Sequence, residues 1–446
     1  MWIDKNIYIW GNGNVVRRYL NQIPNDINIC AIVDRDKNKW GSTNVIRNGR
    51  NLVCIEDNLT EKDFVIIAIE DPHVVDNIAE MLERRHIEWC HIFKVVDETF
   101  IRNNKHNNDI REAGLMMKFI DVMLPTAKCN MKCDYCYLSH LNVELDRTCD
   151  FYHDARYIRY SLSQKRLGGS AFINLCGVGE TLFCENIQEI VSELLNEGHY
   201  IQIVTNATPT NIIKSFINSD IDCSRLFFKC SLHYEELKRL NMLERFVKNV
   251  NMLDEWGASY SVEYVPMDSS VNIIPVIKEF CITNFGALPH VTVTRDERYK
   301  DYRPLTKYSL DEYRRVWGEF ESAMFDFKMD YLIGQKNYCC KAGLWSAELN
   351  LATGDLFMCT NNPQLGNIYQ DIENEITFKE IGSGCCVPYC FNAHAYLTFG
   401  LMPEYDTPTY LEMRDRVKRD GSHWIKETLR NVFSQKLSLN NNWVSE

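Results

Sequence analysis

Between Leu115 and Thr294, short apolar runs alternate with longer amphipathic stretches, and this alternation limits the possible folds more than any other feature of the chain. The apolar runs are Met116–Met123, Ala171–Leu175, Tyr200–Thr205, Leu226–Ser231, Tyr260–Tyr264 and His290–Thr294. Each has the length of a strand. The stretches near Phe151–Arg166, Asn186–Asn196, Pro209–Ile217, Tyr234–Leu253 and Val271–Phe280 carry helical spacing. Strands joined through helices pair in parallel, so an α/β fold with a parallel sheet is expected. On such sheets the chemistry collects at the C-terminal ends of the strands.

The first hundred residues carry a second parallel pattern. Lys5–Trp10 reads as a strand running into Gly11-Asn12-Gly13-Asn14-Val15-Val16 and a helix through Leu20. A second strand, Ile27–Val33, ends at Asp34, and Phe64–Ile69 is a further buried run. This order is that of a Rossmann-type half, in which Gly11 and Gly13 permit close approach to a phosphate and Asp34 accepts from a ribose hydroxyl. Val16 stands where the third fingerprint glycine belongs, which argues against a redox dinucleotide. The segment is similar to the nucleotide-sugar-binding N-terminal domains of bacterial sugar acyltransferases and of enzymes from surface-polysaccharide loci. A nucleotide site and a docking or purely structural role both stay open. The polar stretch from Asp97 to Gly114 reads as a linker.

A chain of 446 residues has room for about three domains. Its formal charge of −12 argues against nucleic acid as the main partner, which needs a basic footprint. The opening residues do not read as a signal peptide, and no apolar run reaches the ~18 residues of a membrane span. Eighteen cysteines then point to metal or redox chemistry in the cytoplasm rather than to disulfides.

The most specific motif follows the first run of the central alternation. Cys129-Asn-Met-Lys-Cys133-Asp-Tyr135-Cys136 spaces three thiols on one loop. Three thiolates can hold three irons of a [4Fe–4S] cubane, leaving the fourth iron open to a substrate or cofactor. A structural zinc site would want a fourth ligand nearby, and none is present in this loop. The motif, with Tyr135 before its last cysteine, resembles that of the radical S-adenosylmethionine (SAM) enzymes. That resemblance implies a partial (β/α)6 barrel over residues 112–335, with Cys129, Cys133 and Cys136 as catalytic metal ligands and the Tyr135 backbone helping to seat the adenine of SAM. Cys176-Gly177-Val178-Gly179-Glu180 resembles the family's glycine-glutamate motif, with Gly177 and Gly179 admitting the methionine part of SAM and Glu180 accepting from its ammonium. Thr205, Asn206 and Ser231 at later strand ends are cofactor contacts on the same reading, or caps of the helices that follow. His233 is open between a substrate contact and a core histidine.

A second cysteine set closes the chain. Cys340 is followed by Gly354 and Cys359, then by Cys385, Cys386 and Cys390. This resembles the auxiliary-cluster extension of radical SAM enzymes, called twitch or SPASM, here over residues 336–400. It implies one auxiliary [4Fe–4S] cluster on Cys340, Cys359 and Cys390, with Cys386 or Cys385 as the fourth ligand; an all-cysteine zinc cage is the alternative. Residues 401–446 carry two amphipathic helices, Thr409–Arg419 and Trp424–Gln435, expected to pack on the barrel or its mouth.

The fold class expected is therefore α/β: a Rossmann-like domain over 1–100, a radical SAM core, a cysteine-rich auxiliary domain and terminal helices. The activity implied is reductive cleavage of SAM to a 5′-deoxyadenosyl radical that takes hydrogen from a substrate C–H bond, fed by a reductant such as flavodoxin or ferredoxin. A sugar-like or other small molecule is the favoured substrate, and a ribosomally made peptide the alternative. The rival from another class is a non-catalytic iron–sulfur or zinc protein with a nucleotide-sensing domain.

Overall fold

The computed structural model describes residues 5–103, 110–124, 126–140, 153–296, 298, 303–332, 338–360, 363–383, 385, 390 and 393–443. The chain forms two compact units, Met1–Asp109 with Asp150–Ile158, and Ile110–Cys149 with Arg159–Glu446.

In the first unit the strands are β1 (Asn6–Trp10), β2 (Ile29–Val33), β3 (Val45–Arg47), β4 (Arg50–Leu52), β5 (Cys54–Ile55), β6 (Asp63–Ile67) and β7 (Glu88–His91). The main sheet has the order β5-β2-β1-β6-β7 with every pairing parallel, and β3 and β4 form a separate antiparallel hairpin. Every residue of β6 is buried, as expected of a central parallel strand covered on both faces. Trp10, Val33, Val65, Ile67, Ile78 and Leu82 form one apolar cluster of this unit. Gly11 turns the chain out of β1 at φ 114°, where a Cβ would stand 2.9 Å from the Ala68 carbonyl oxygen. His153 is stacked on Phe93 at 4.2 Å between ring centroids, and its Nδ1 lies 3.0 Å from Asp97 Oδ1, which ties residues 153–158 to this unit.

The second unit carries β8 (Met116–Leu124), β9 (Ser170–Gly177), β10 (Tyr200–Thr205), β11 (Leu226–Leu232), β12 (Ser259–Tyr264), β13 (His290–Val291), β14 (Ser346–Asn350), β15 (Asp355–Phe357) and β16 (Gln364–Asn367). Among the described residues the sheet order is β13-β12-β11-β10-β9-β8-β14-β15-β16, parallel from β13 through β14 and antiparallel beyond. The expected strands thus appear in sequence order as neighbours, although the one expected over His290–Thr294 is only His290–Val291. The helices differ in detail. The stretch Tyr234–Leu253 is two helices, Tyr234–Arg239 and Leu243–Trp256, broken where Asn241 takes φ 53°. The stretch Phe151–Arg166 contains helices Ala155–Ser161 and Gln164–Leu167, with residues 151–152 outside the described set. The helix expected over Val271–Phe280 instead runs Ile274–Phe285, preceded by a 3-10 turn at Asp268–Ile273, and Gly286 takes the left-handed cap.

The two faces of this sheet are covered differently. Ile173, Leu175, Ile201, Ile203, Phe228 and Cys230 are fully buried. Phe228 meets Phe216 of the helix Thr210–Ile217, which marks its face as the outer one. Inner-face residues grade along the strands from aromatic to polar. Phe119, Asp121 and Met123 alternate on β8; Phe172, Asn174 and Cys176 on β9; Tyr200, Gln202 and Val204 on β10; Phe227, Lys229 and Ser231 on β11. The aromatic end is filled by the C-terminal segment. Phe172 lies 4.9 Å from Phe433 between ring centroids, and Phe399 stacks on Tyr410 at 4.5 Å. Each such pair adds about 0.5–1.5 kcal/mol beyond the area it buries.

The helix expected over Thr409–Arg419 is only Tyr410–Arg414, opened by a reciprocal cap between Thr409 and Glu412. It stops because Asp415 turns extended and takes the Ile425 amide at 3.0 Å, together with Arg430 and His423. The second helix is Glu427–Phe433. Both pack against the sheet, as expected of their apolar faces. Among the described residues no helix is long and apolar enough to cross a membrane.

Candidate functional site

The three-cysteine loop leaves the C-terminal end of β8 and is fixed from three sides. The turn after β9 runs along it, with the amides of Val178, Gly179 and Glu180 donating to the carbonyls of Leu124, Thr126 and Lys128 at 3.1, 2.6 and 2.8 Å. This proximity explains Gly179, since a Cβ there would stand 2.4 Å from the Lys128 carbonyl oxygen. From the end of β10, Asn206 Nδ2 donates to Asn130 Oδ1 at 2.9 Å, and Asn130 Nδ2 donates to Thr208 Oγ1 at 2.8 Å. From the helix after β11, Glu236 Oε1 takes the Lys132 amide at 2.8 Å, while Arg239 grips the same carboxylate.

Cys133 is buried, whereas Cys129 and Cys136 are half-buried, and the Cys136 amide closes a turn onto the Cys133 carbonyl at 3.0 Å. Burial pushes the Cys129 thiol up to about 11, with Glu180 and Cys136 raising it further. Burial likewise pushes Cys133 up to about 12, with Glu236, Cys136 and Cys129 adding to it. Cys129 and Cys133 therefore sit, within electrostatic reach of Cys136, in a site that resists bare thiolates, so a bound cationic metal would be what holds these two ionised. Among the described residues no group of three or more Cys, His, Asp or Glu converges in a way that could hold one metal ion. A cubane makes a different demand: it takes one thiolate per iron, so its ligands stand further apart than the ligands of a single ion. One buried and two half-buried thiols, carried by a single braced loop, fit that demand.

Tyr135 places its hydroxyl 2.5 Å from His233 Nδ1. Burial pushes His233 down to about 4, so the ring is neutral near pH 7. Glu180 is 2% exposed. Its Oε1 accepts from Thr205 Oγ1 at 2.5 Å and from the Leu182 amide at 3.1 Å, and its Oε2 accepts from the Asn206 amide at 2.7 Å. The structure thus brings Glu180, Thr205 and Asn206 together, but in contact with one another: the carboxylate ties the β9 turn to the end of β10. Burial, opposed by these three donors, leaves its pKa at about 7. The Gly177 amide donates to Thr181 Oγ1 at 2.8 Å, and Ser231 is half-buried on the inner face, in register with Glu263 of β12.

The inner face beyond this rim holds residues that sequence reasoning passed over. Asn174 Nδ2 donates to Asp121 Oδ1 at 2.7 Å, Gln202 donates to Asn174, and Tyr410 donates to Gln202 at 2.6 Å, so each member of the chain points its donor toward Asp121. Burial pushes Asp121 up to about 6, with Glu348, its register partner on β14, adding to the shift. Asp121, Asn174, Cys176, Val204, Lys229, Ser231 and Glu348 are half-buried while their outward neighbours are covered, so they line a chamber open at the strand ends. The signal was present as a period of two inside runs that read as continuously apolar.

The C-terminal cysteines also gather. Burial pushes Cys340 up to about 11, with Cys385 and Cys339 raising it, and Cys359 up to about 12, with Cys340 and Cys385 among its neighbours. Cys359 and Cys390 pack against the same apolar cluster that contains Cys340. Cys386 lies outside the described residues. In the first unit, Asp34 spends its carboxylate inside the protein, on the Asn12 amide at 2.9 Å and Lys39 Nζ at 2.8 Å. The helix following Gly13 has six residues.

Residues 3–93 match the family model described as C2185-like, N-terminal. No curated protein matches the chain. Among solved structures, Streptococcus suis SuiB bound to S-adenosylmethionine is similar at 18% identity, over 67% of this chain and 75% of that one, with a TM-score of 0.39. Native anSMEcpe with bound AdoMet is 15% identical over 56% and 78%, also at 0.39. BtrN in complex with AdoMet and 2-DOIA is 14% identical over 58% and 81%, at 0.31. Superpositions this loose carry no functional weight, which leaves the chain's own residues.

Proposed function

We propose that this chain is a radical SAM enzyme acting on a small molecule, with residues 112–335 as its core, a Rossmann-like N-terminal domain, and an auxiliary iron–sulfur site in the C-terminal region. The observation that carries this reading is the loop of Cys129, Cys133 and Cys136, which leaves the end of the first strand of a parallel sheet and borders a half-open inner chamber. Those three thiolates would hold a [4Fe–4S] cluster, and Cys340, Cys359, Cys390 and Cys385 or Cys386 a second one. When bound, the first cluster with SAM supplies one-electron cleavage of the sulfonium and a carbon radical able to take hydrogen from an unactivated C–H bond.

The rest is the work of the chain's own residues. Asn130, Lys132 and Gly179 brace the cysteine loop through the contacts described above, so that its open side keeps one orientation. Glu180 holds the rim at which Thr205 and Asn206 end β10. The C-terminal aromatic residues close the chamber at the other end and exclude water there. Asp121, with its proton affinity lifted toward neutrality, can hold or release a proton inside the chamber. A chamber closed at one end fits a small molecule.

The test is to add SAM and dithionite to anaerobically reconstituted protein and measure 5′-deoxyadenosine. Wild type should form it and Cys133→Ala should not. Equal product from both would end the reading.

A further inference from the structure

The β11 side of the chamber carries positive charge that cleavage of SAM does not require. Lys229 on β11 is 22% exposed, and its Nζ stands 3.3 Å from Glu263 Oε2. That same carboxylate is also paired with the buried Arg414. One carboxylate thus serves two cations. Lys328, from the helix Ala323–Leu332, donates to the neutral Thr292 hydroxyl at 2.7 Å. Among the described residues no carboxylate comes within ion-pair distance of its ammonium. Burial pushes the Lys328 amine well below its usual value, and Lys229 and Arg295 push it further. His394 lies in the field of Lys328, Lys229 and Arg295, with a buried Nδ1 that has no hydrogen-bond partner. Of the chamber's other acids, Asp121 on β8 lies within electrostatic reach of Lys229 but is not among the acids that act on Lys328, and Glu348 stands further along the sheet on β14.

A half-buried ammonium with only a neutral hydroxyl beside it, as at Lys328, is costly, and an anion placed between it and Lys229 supplies the missing counter-charge. We propose that Lys229 and Lys328, with His394 beside them, bind an anionic group of the substrate, a phosphate or a carboxylate, so that the rest of the molecule extends across the chamber toward Asp121. This assignment rests on the radical SAM reading, whose substrate class it names: a small anionic molecule with a polar part at its far end.

The test uses full-length, anaerobically reconstituted protein at low salt, with calorimetric binding of inorganic phosphate in one arm and of acetate in the other. Wild type should bind one of them saturably, the tighter anion identifying the group. Lys328→Met should weaken that binding by about tenfold or more, and Lys328→Arg should recover most of it. Should Lys328→Met fail to fold, Lys229→Met makes the same test. The proposal is overturned if neither anion binds wild type, or if a variant melting like wild type binds the preferred anion equally well. 5′-Deoxyadenosine is measured in the same preparation. Its absence from wild type defeats the radical SAM reading, whereas its presence without anion binding defeats only the anion site.

Discussion

Glu180 offers the sharpest test of how the site is built, because a carboxylate at that position can serve either as a strut or as a ligand contact. Glu180→Ala leaves three donors, the Leu182 and Asn206 amides and the Thr205 hydroxyl, facing a space that is 2% exposed. Each buried donor left unpaired costs about 1–3 kcal/mol. Part of that is offset, because the carboxylate itself is held unfavourably: its pKa stands at about 7 despite the three donors. A net loss of about 3 kcal/mol is expected, which for a unit of this size lowers Tm by roughly 6 °C. Glu180→Gln should fall between, since it keeps an acceptor for Thr205 and Leu182 but turns an amide NH2 toward the Asn206 N–H. The assay is thermal unfolding of wild type and both variants at pH 8, paired with equilibrium binding of SAM. If Glu180→Ala melts within about 1 °C of wild type and loses only SAM affinity, the residue is a ligand contact and the strut argument is wrong.

Two other outcomes are expected. Reconstituted wild type should carry about eight irons per chain, and Cys133→Ala and Cys359→Ala should each carry about four; a Cys359→Ala protein that loses zinc instead of iron would favour the zinc cage. Acid should destabilise the fold through His199, whose Nδ1 accepts the Ala171 amide at 3.1 Å while its Nε2 lies 2.8 Å from the Leu162 carbonyl. Burial holds its folded pKa down at about 4, below the unfolded value of 6.5, so between those values the unfolded chain binds more protons. Stability should therefore be level above about pH 6.5 and fall by up to about 3 kcal/mol on the way to pH 4. His199→Gln should show a shallower loss of Tm between pH 7 and 5, and equal slopes would refute the assignment.

The order of the central strands was legible because each apolar run is short, is followed by helical spacing, and has no other way to bury itself. Helix limits were less so. No glycine or proline marks the break at Asn241, and Asp415 ends its helix through residues about ten positions further on, a signal that local spacing does not contain. The cysteine loop was legible from spacing alone, but its bracing was not: Asn130, Asn206 and Glu236 are ordinary polar residues until the fold brings them together. Lys229 was hidden inside Leu-Phe-Phe-Lys-Cys-Ser, where one polar residue in an apolar run reads as an exception. On a strand whose outer face is covered, it is instead the inward position two residues beyond Phe227.

That gradient from Phe227 to Lys229 bears on why the chamber opens where it does. A parallel sheet normally hides both faces, and here the inner face is hidden only as far as the C-terminal segment reaches. Phe399 meets Phe119 of the first aromatic row, while Tyr410 and Phe433 meet Phe172 of the same row, and Tyr410 extends one hydroxyl to Gln202 in the next. Beyond that row the strands carry Asp121, Asn174 and Lys229, and apolar cover there would take charged groups out of water at a cost. The plug therefore stops at the point where further packing would turn unfavourable. The same residues that halt it keep the strand ends beside Cys129, Cys133 and Cys136 open, so the limit of the core and the position of the open chamber have one cause.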